Sequence, residues 1–359
     1  MTLRVSLRDT ERALSRPTGN AQRNWTAREA CIVTLQGDDG QRGFGEASPL
    51  PGFSSDSLVD CRRALSTVDV SNVPARLAPG QSVLVELERA SRALPSNLPA
   101  ARTALEAALL DLWSRATGLP AWALLNHSRA TPTARPVAAL LTGEPEAALE
   151  LAQRALARGV HSFKFKIGRP DAIERELAAV QALRTRLGAD VALRLDANRS
   201  LSARQVAEYI PRFSECRPEF IEEPCAFAEF SRAAALGAPF ALDESLAELD
   251  ALECAEPFRV WGVRALVLKP TLLGGISACC AWADLARSIG AHVIVSHAFE
   301  SSLGLALSAA LALSIGSSHS AHGLDLEGAR LDHLDLPFFS GSEIVPWSEP
   351  GFGLSEPEA

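Results

Sequence analysis

Ser162–Gly168 reads SFKFKIG, and this stretch decides the fold. It holds Lys164 and Lys166, two of only three lysines in 359 residues; Lys269 is the third, and thirty-two arginines make up the other basic residues. Arginine stays protonated, whereas a buried lysine shifts its pKa readily and can act as a base. A composition that favours arginine explains the scarcity of lysine but not its placement. Side chains two apart on a strand share a face, so Lys164 and Lys166 point the same way.

Further runs like SFKFKIG follow, each separated by an amphipathic stretch. The expected strands are Pro136–Leu141, Ser162–Ile167, Val191–Asp196, Glu219–Glu222, Phe240–Asp243, Ala265–Lys269, His292–Ser296 and Gly323–Asp325. Helical patterns lie between them, at Glu144–Arg158, Asp171–Leu187 and Ile276–Ile289. Strand–helix–strand at this spacing means parallel pairing with right-handed crossovers. The repeat number favours a closed α/β barrel of (β/α)7β TIM type. An open doubly wound sheet is the alternative, but no Gly-x-Gly-x-x-Gly follows the first strand.

The first hundred residues differ. Ala30–Leu35 and Gly43–Glu46 alternate like a hairpin around Gly37–Gly40, Leu50–Phe53 is a loop, and Asp56–Leu65 and Ala100–Thr117 are helical. The expected division is an α+β capping domain over 1–100, with the tail 332–359 packing back on it, and a barrel over 101–331.

Polar residues end the successive strands: Lys166, Asp196, Glu222, Asp243, Lys269 and Ser296, in steps of 30, 26, 21, 26 and 27 residues. Each step is one βα unit, and active sites of such barrels lie at the carboxyl ends of the strands. Three carboxylates without a cation would repel one another. Oxygen ligands supplied singly from three strands suit a hard divalent cation, Mg²⁺ with Mn²⁺ as a substitute. In EEP and DES the acid that ends the apolar run is taken as the ligand, Glu222 and Asp243, with Glu223 and Glu244 behind. Two neighbouring ammoniums and a cation depress lysine pKa values and prepare a general base. Bases flanking a metal suit removal of a proton α to a carboxylate. Taken singly, Lys-x-Lys is a solvated strand face, Asp-Ala-Asn a turn and EEP a strand end; their order and spacing carry the reading.

A net charge of −8 with dispersed basic residues argues against nucleic acid. Leu303–Ile315, the longest apolar stretch, is too short to span a membrane. The polar start is unlike a signal peptide. Seven cysteines without Cys-x-x-Cys read as reduced thiols in the cytoplasm.

GFGEASPLPGFS (Gly43–Ser54), FKFKIG (Phe163–Gly168), LRLDANR (Leu193–Arg199), FIEEPC (Phe220–Cys225), LDESL (Leu242–Leu246), RALVLKPTLLGG (Arg264–Gly275) and FESSLGL (Phe299–Leu305) together resemble the enolase superfamily, in its muconate-cycloisomerase-like subgroup. Within it they are most similar to the o-succinylbenzoate synthase family. The likeness covers roughly residues 30–330. It implies a hydro-lyase of menaquinone synthesis that eliminates water from a small carboxylate, 2-succinyl-6-hydroxy-2,4-cyclohexadiene-1-carboxylate. It also implies roles: Asp196, Glu222 and Asp243 on Mg²⁺; Lys166 as base; Lys269 stabilising the enolate; Lys164 tuning Lys166. Ser296 and Gly323 would meet the succinyl end, Arg194 and Asn198 would support the third strand's ligand, and Pro51 and Phe53 would lie over the substrate.

Arg16–Arg28 fits no strong pattern, although the family carries a mobile lid there. His297 and Phe299 flank the mouth; with Ser296 facing inward, strand alternation turns His297 away. Two other readings stand beside the lyase. One is a racemase or epimerase of N-succinylamino acids or dipeptides, for which Asp325 and Glu327 would bind an amino group. The other is a non-catalytic binding barrel, against which the intact lysines and acids argue.

Overall fold

The computed structural model describes residues 3–19, 24–126, 130–169, 171–329, 331 and 334–355. The cap opens with an antiparallel sheet of β1 (Leu3–Gly19), β2 (Asn24–Gly37) and β3 (Arg42–Ala47), in that order. The expected hairpin is β2–β3, turning at Gly37–Gly40, where Gly40 adopts φ +81°. Cys31, Val33 and Leu35 alternate inward along β2 and are fully buried. Strand β1, which the sequence reading did not place, lies along the outer edge.

Three helices follow: α1 (Leu58–Ser66), capped by the Ser57 side chain, α2 (Val83–Ser91) and α3 (Pro99–Thr117). Proline opens α3 and Gly118 ends it at φ +70°. The boundary expected at residue 100 falls just inside this helix, which packs on β3, α1 and α2. The approach to β3 is so close that a Cβ on Gly45 would lie 1.9 Å from the Ala104 carbonyl oxygen, and one on Gly43 2.2 Å from that of Ala108.

After a short strand, β4 (Arg135–Pro136), come the barrel strands β5 (Ala138–Leu141), β6 (Ser162–Lys166), β7 (Ala192–Asp196), β8 (Phe220–Glu222), β9 (Phe240–Leu242), β10 (Ala265–Leu268) and β11 (His292–Val295). From β5 to β11 they form one parallel sheet in sequence order, as the βα spacing predicts. The expected helices stand between them at Pro145–Ala157, Ile173–Leu187 and Ile276–Ile289. Phe220, Ala241, Ala265, Val267 and Ile294 fill the space inside the curled sheet as a separate buried cluster.

The expected eighth strand, Gly323–Asp325, is reduced to single parallel bridges. His322 pairs with Val137 on one edge of the sheet and Gly323 with Ser296 on the other, so this segment lies between the two edges. A helix begins at Leu326, which leaves no length for a strand.

The tail contributes β12 (Phe339–Ser340) and β13 (Glu343–Ile344), which pair with each other, and β13 pairs in turn with β4. Farther on it meets the cap helix: Phe352 N–H donates to Asp111 at 2.9 Å, and Arg115 to the Leu354 carbonyl at 3.0 Å. Residues 332, 333 and 356–359 of the expected tail lie outside the described residues. Among the described residues no helix is long and apolar enough to cross a membrane. All seven cysteines are free thiols.

The β3–α3 contact yields a test. Gly45→Ala should destabilise the protein by about 2–3 kcal/mol, read by chemical denaturation, because overpacking at a backbone contact has no flexible neighbour to yield. An unchanged midpoint would show that the helix does not lie this close.

Candidate active site

Parallel register aligns the site. Lys166 on β6 is level with Asp196 on β7 and Glu222 on β8; Lys164 is level with Arg194 and Phe220 one layer lower. Asp243, Lys269 and Ser296 are the first residues beyond β9, β10 and β11. A cleft of about 790 Å³, counting its open mouth, is lined by Lys164, Lys166, Arg194, Asp196, Asn198, Glu222, Lys269, Ser296, Gly323 and Phe53. These ten had all been singled out from the sequence.

Asp196, Glu222 and Asp243 are almost completely buried. Buried charges need partners, and the lysines supply them. Lys164 Nζ lies 2.6 Å from Glu222 Oε1 and 2.9 Å from Asp196 Oδ2. Lys269 pairs with Asp243 and sits 5.1 Å from the centre of the Phe53 ring. Lys166 is different. It donates to Asn198 Oδ1 at 2.7 Å, and Asp196 is 3.6 Å away.

The pKa directions follow from these partners. For Lys164, burial opposes the charge, but Asp196, Glu222 and Asp243 outweigh it and the pKa rises. Lys269 also rises, with Asp243 overcoming burial. Lys166 falls: burial and the positive charges of Lys164 and Lys269 outweigh Asp196. The mutual depression expected of the lysine pair therefore reaches only Lys166, because Lys164 has the carboxylates.

Behind these groups, Asn198 Nδ2 donates to Glu244 Oε1 at 2.6 Å, and Asn198 N–H to Asp196 Oδ1 at 2.9 Å. Glu223 is fully buried and accepts from the Asp243 and Ser245 N–H groups, both at 2.8 Å, and from Ser245 Oγ at 2.7 Å. It thereby fixes the turn that carries Asp243. Asn198 (φ +43°) and Glu223 (φ +42°) adopt left-handed backbone beside two of the acids. Such strain collects at functional sites.

Two expectations need correction. Pro51 is exposed; its carbonyl accepts from Trp25 Nε1 at 3.1 Å, and it does not line the cleft. His297 does line the cleft, because β11 ends at Val295 and strand alternation no longer applies. Arg194 is held on the floor, over the Phe220 ring at 4.9 Å, donating to Glu219 and to the Ala321 carbonyl, each at 2.7 Å. Trp25 and Phe220 also line the cleft and were not picked out from the sequence. Trp25 falls within the unassigned stretch Arg16–Arg28, of which residues 20–23 lie outside the described residues.

With the lysines drawn onto the acids, no three His, Cys, Asp or Glu side chains among the described residues form a ready-made metal cluster. The donor set nevertheless fits a hard cation. Three buried carboxylates stand on neighbouring strand ends, and around buried Asp196 Oδ2 the neighbours are the lysine ammoniums, Lys164 at 2.9 Å and Lys166 at 3.6 Å, cations in the place a metal ion would take.

Two family profiles match the chain: "Mandelate racemase / muconate lactonizing enzyme, N-terminal domain" over residues 3–126 and "Enolase C-terminal domain-like" over 147–357. The chain belongs to the mandelate racemase/muconate lactonizing enzyme family of the enolase superfamily. Among relatives in this family, the o-succinylbenzoate synthase of Klebsiella pneumoniae (strain 342) is 33% identical over 333 residues, 91% of this chain and 89% of that one. That of Enterobacter sp. (strain 638) is 36% identical over 289 residues, 79% and 78% of the two chains. Solved structures of the family share the fold. The L-Ala-D/L-Glu epimerase of Bacillus subtilis superposes with a TM-score of 0.83 at 24% identity, covering 98% of both chains. A dipeptide epimerase of Enterococcus faecalis V583, complexed with Mg and a dipeptide, gives 0.80 at 19%, covering 99% and 100%.

Glu244 gives this subsection its prediction. Burial, then the charges of Asp243, Glu223 and Asp196, push its pKa from the ordinary 4.5 up to about 8. Its proton is held more tightly in the folded than in the unfolded chain. Its stabilising effect is thus complete below the unfolded value and is lost as the pH rises through the folded one. Metal-free protein should melt at lower temperature as the pH rises from about 5 to about 8, and Glu244→Gln should flatten that slope. An unchanged slope in the variant, read by calorimetry, would remove Glu244 as a contributor.

Proposed function

We propose that this chain is an o-succinylbenzoate synthase, converting 2-succinyl-6-hydroxy-2,4-cyclohexadiene-1-carboxylate into 2-succinylbenzoate and water in menaquinone synthesis. The observation that carries the reaction type is the lysine asymmetry. Lys164 and Lys269 are paired with carboxylates and kept cationic, whereas Lys166 rests on the Asn198 amide with a lowered pKa. A single lysine whose ammonium form is disfavoured, set apart from two carboxylate-paired lysines, suits proton abstraction next to a carboxylate. The choice of substrate is supported by the relatives of that name over most of the chain.

Asp196, Glu222 and Asp243 would hold one Mg²⁺, or Mn²⁺ in its place, which when bound supplies the positive charge that makes an enolate of a carboxylate tolerable. Lys166 Nζ takes the ring proton α to the carboxylate. The resulting ammonium returns that proton to the departing hydroxyl, so the C–H and C–O bonds break, a C=C bond forms and water leaves. Lys269 faces the developing anion as a cation, and the charge of Lys164 adds to burial in lowering the pKa of Lys166. Ser296 and Gly323 lie together on the wall, where Ser296 Oγ donates to the Gly323 carbonyl at 3.2 Å, and would meet the succinyl arm. Aromatisation drives the step, so the site need only orient the ring and hold charge. The free thiols support a reducing compartment, and we place the step in the cytoplasm.

Epimerisation of dipeptides is the second reading, favoured by the fold neighbours. The Asp325–Glu327 pair speaks against it. Arg158 donates to both carboxylates, at 3.1 Å each, and Arg154 to Glu327 at 3.3 Å. Acids already countered by guanidinium attract a substrate ammonium weakly.

With Mg²⁺ and the cyclohexadiene carboxylate, the diene absorbance should disappear. Lys166→Ala should lower kcat by about 10²–10⁴-fold, and EDTA should abolish turnover. Folded, Mg²⁺-loaded protein without turnover would sink this assignment. Exchange of the α-proton of N-succinylamino acids or dipeptides in D₂O would then establish a racemase or epimerase.

A further inference from the structure

Arg12 on β1 and Arg28 on β2 are direct cross-strand partners. Like charges in that position destabilise a sheet, and both guanidiniums are largely withdrawn from water. Glu46 and Glu300 supply the countercharge nearby. The two arginines reach to opposite halves of the cleft.

Arg28 is buried and donates to the Pro49 carbonyl at 3.0 Å, to Ser48 Oγ at 2.7 Å and to the Ser48 carbonyl. It grips the root of the loop that carries Leu50 and Phe53. Arg12 crosses from the cap to the loop after β11, where Nη2 donates to the carbonyls of Phe299 and Glu300, both at 3.0 Å. Phe299 sits at φ +63°, a strained backbone for a bulky residue. A left-handed residue persists only where its surroundings over-determine it, and here they do. Its carbonyl is held by Arg12, its N–H donates to His297 Nδ1 at 3.0 Å, and the Glu300 side chain turns back to accept from Ala298 N–H at 2.6 Å.

The result is an apolar wall opposite the charged floor. Trp25, Leu50 and Ala298 form a buried cluster with Phe53 and Phe299 against it, and the Trp25 and Phe299 rings lie 6.5 Å apart. A ligand between floor and wall would set its anionic groups on the lysines and its flat apolar face on Phe299 and Phe53. We propose that Arg12 and Arg28 are positioning residues that set the two halves of this wall, Phe299 from the barrel and Leu50 with Phe53 from the cap, and so decide selectivity for a planar ring. The ligand class rests on the synthase reading above; the clamp rests on the hydrogen bonds.

The experiment is a double-mutant cycle on Mg²⁺-loaded protein, read by calorimetric binding of 2-succinylbenzoate and of N-succinylphenylalanine. Arg12→Met and Phe299→Leu should each weaken binding about tenfold, the scale of a lost apolar contact. The double variant should bind no worse than Phe299→Leu alone, since Arg12 acts only through Phe299. Arg12→Lys, which keeps the charge but loses the planar fork, should recover part of the loss. If Arg12→Met does not fold, Arg12→Lys takes its place in the cycle. Additive losses on a bound ligand, or equal Kd values with only a lowered melting temperature, would overturn the clamp. Wild-type binding of N-succinylphenylalanine alone would overturn the synthase reading while the cycle still tests the clamp. Binding of neither ligand would overturn both.

Discussion

Three buried carboxylates and three lysines, Lys269 buried and Lys164 and Lys166 half-buried, share one end of the barrel, and the rest of the site follows from balancing them. Removing one member of such a buried set leaves an uncompensated charge and costs about 3–5 kcal/mol. The set cannot be evenly paired, because Lys164 bridges two acids and Lys269 takes the third. Lys166 is the remainder. The count of charges, and where the strand register puts them, makes one lysine differ chemically from its neighbour two residues away.

Holding that imbalance takes structure of its own. Glu223 locks the turn after β9 with three hydrogen bonds, and Asn198 ties Lys166 to Glu244. Asn198 and Arg199 after β7 and Glu223 after β8 adopt left-handed backbone. The cap completes the arrangement from outside: Gly43 and Gly45 let α3 seat against β3, and the cap loops then reach over the cleft.

Much of this was legible in the residues because βα spacing is periodic. Each acid or lysine that ends an apolar run lies one unit from the next, so convergence at the carboxyl ends could be read without coordinates. Other features left weak signals. The segment Leu3–Gly19 alternates only over its first few residues and lies at a sheet edge. The eighth barrel position is a pair of bridges, too short for any pattern. His297 was turned the wrong way because alternation was carried past the end of β11. Trp25 carries no local mark of its role; it reaches the cleft only through the long β1–β2 ribbon.

By itself the sequence determined the identity and order of the ionisable residues, the α/β barrel they ride on, and the convergence of the lysines with three acids at one end of it. These depend on spacing along the chain, which strand geometry converts directly into a face and an end. Only the tertiary structure decided which lysine rests on an amide and meets an acid no closer than 3.6 Å, that Arg158 pairs with Asp325 and Glu327, and that arginines of the cap hold the loops of the aromatic wall. Those outcomes depend on distances between residues far apart in the chain, and charge and packing act through distance.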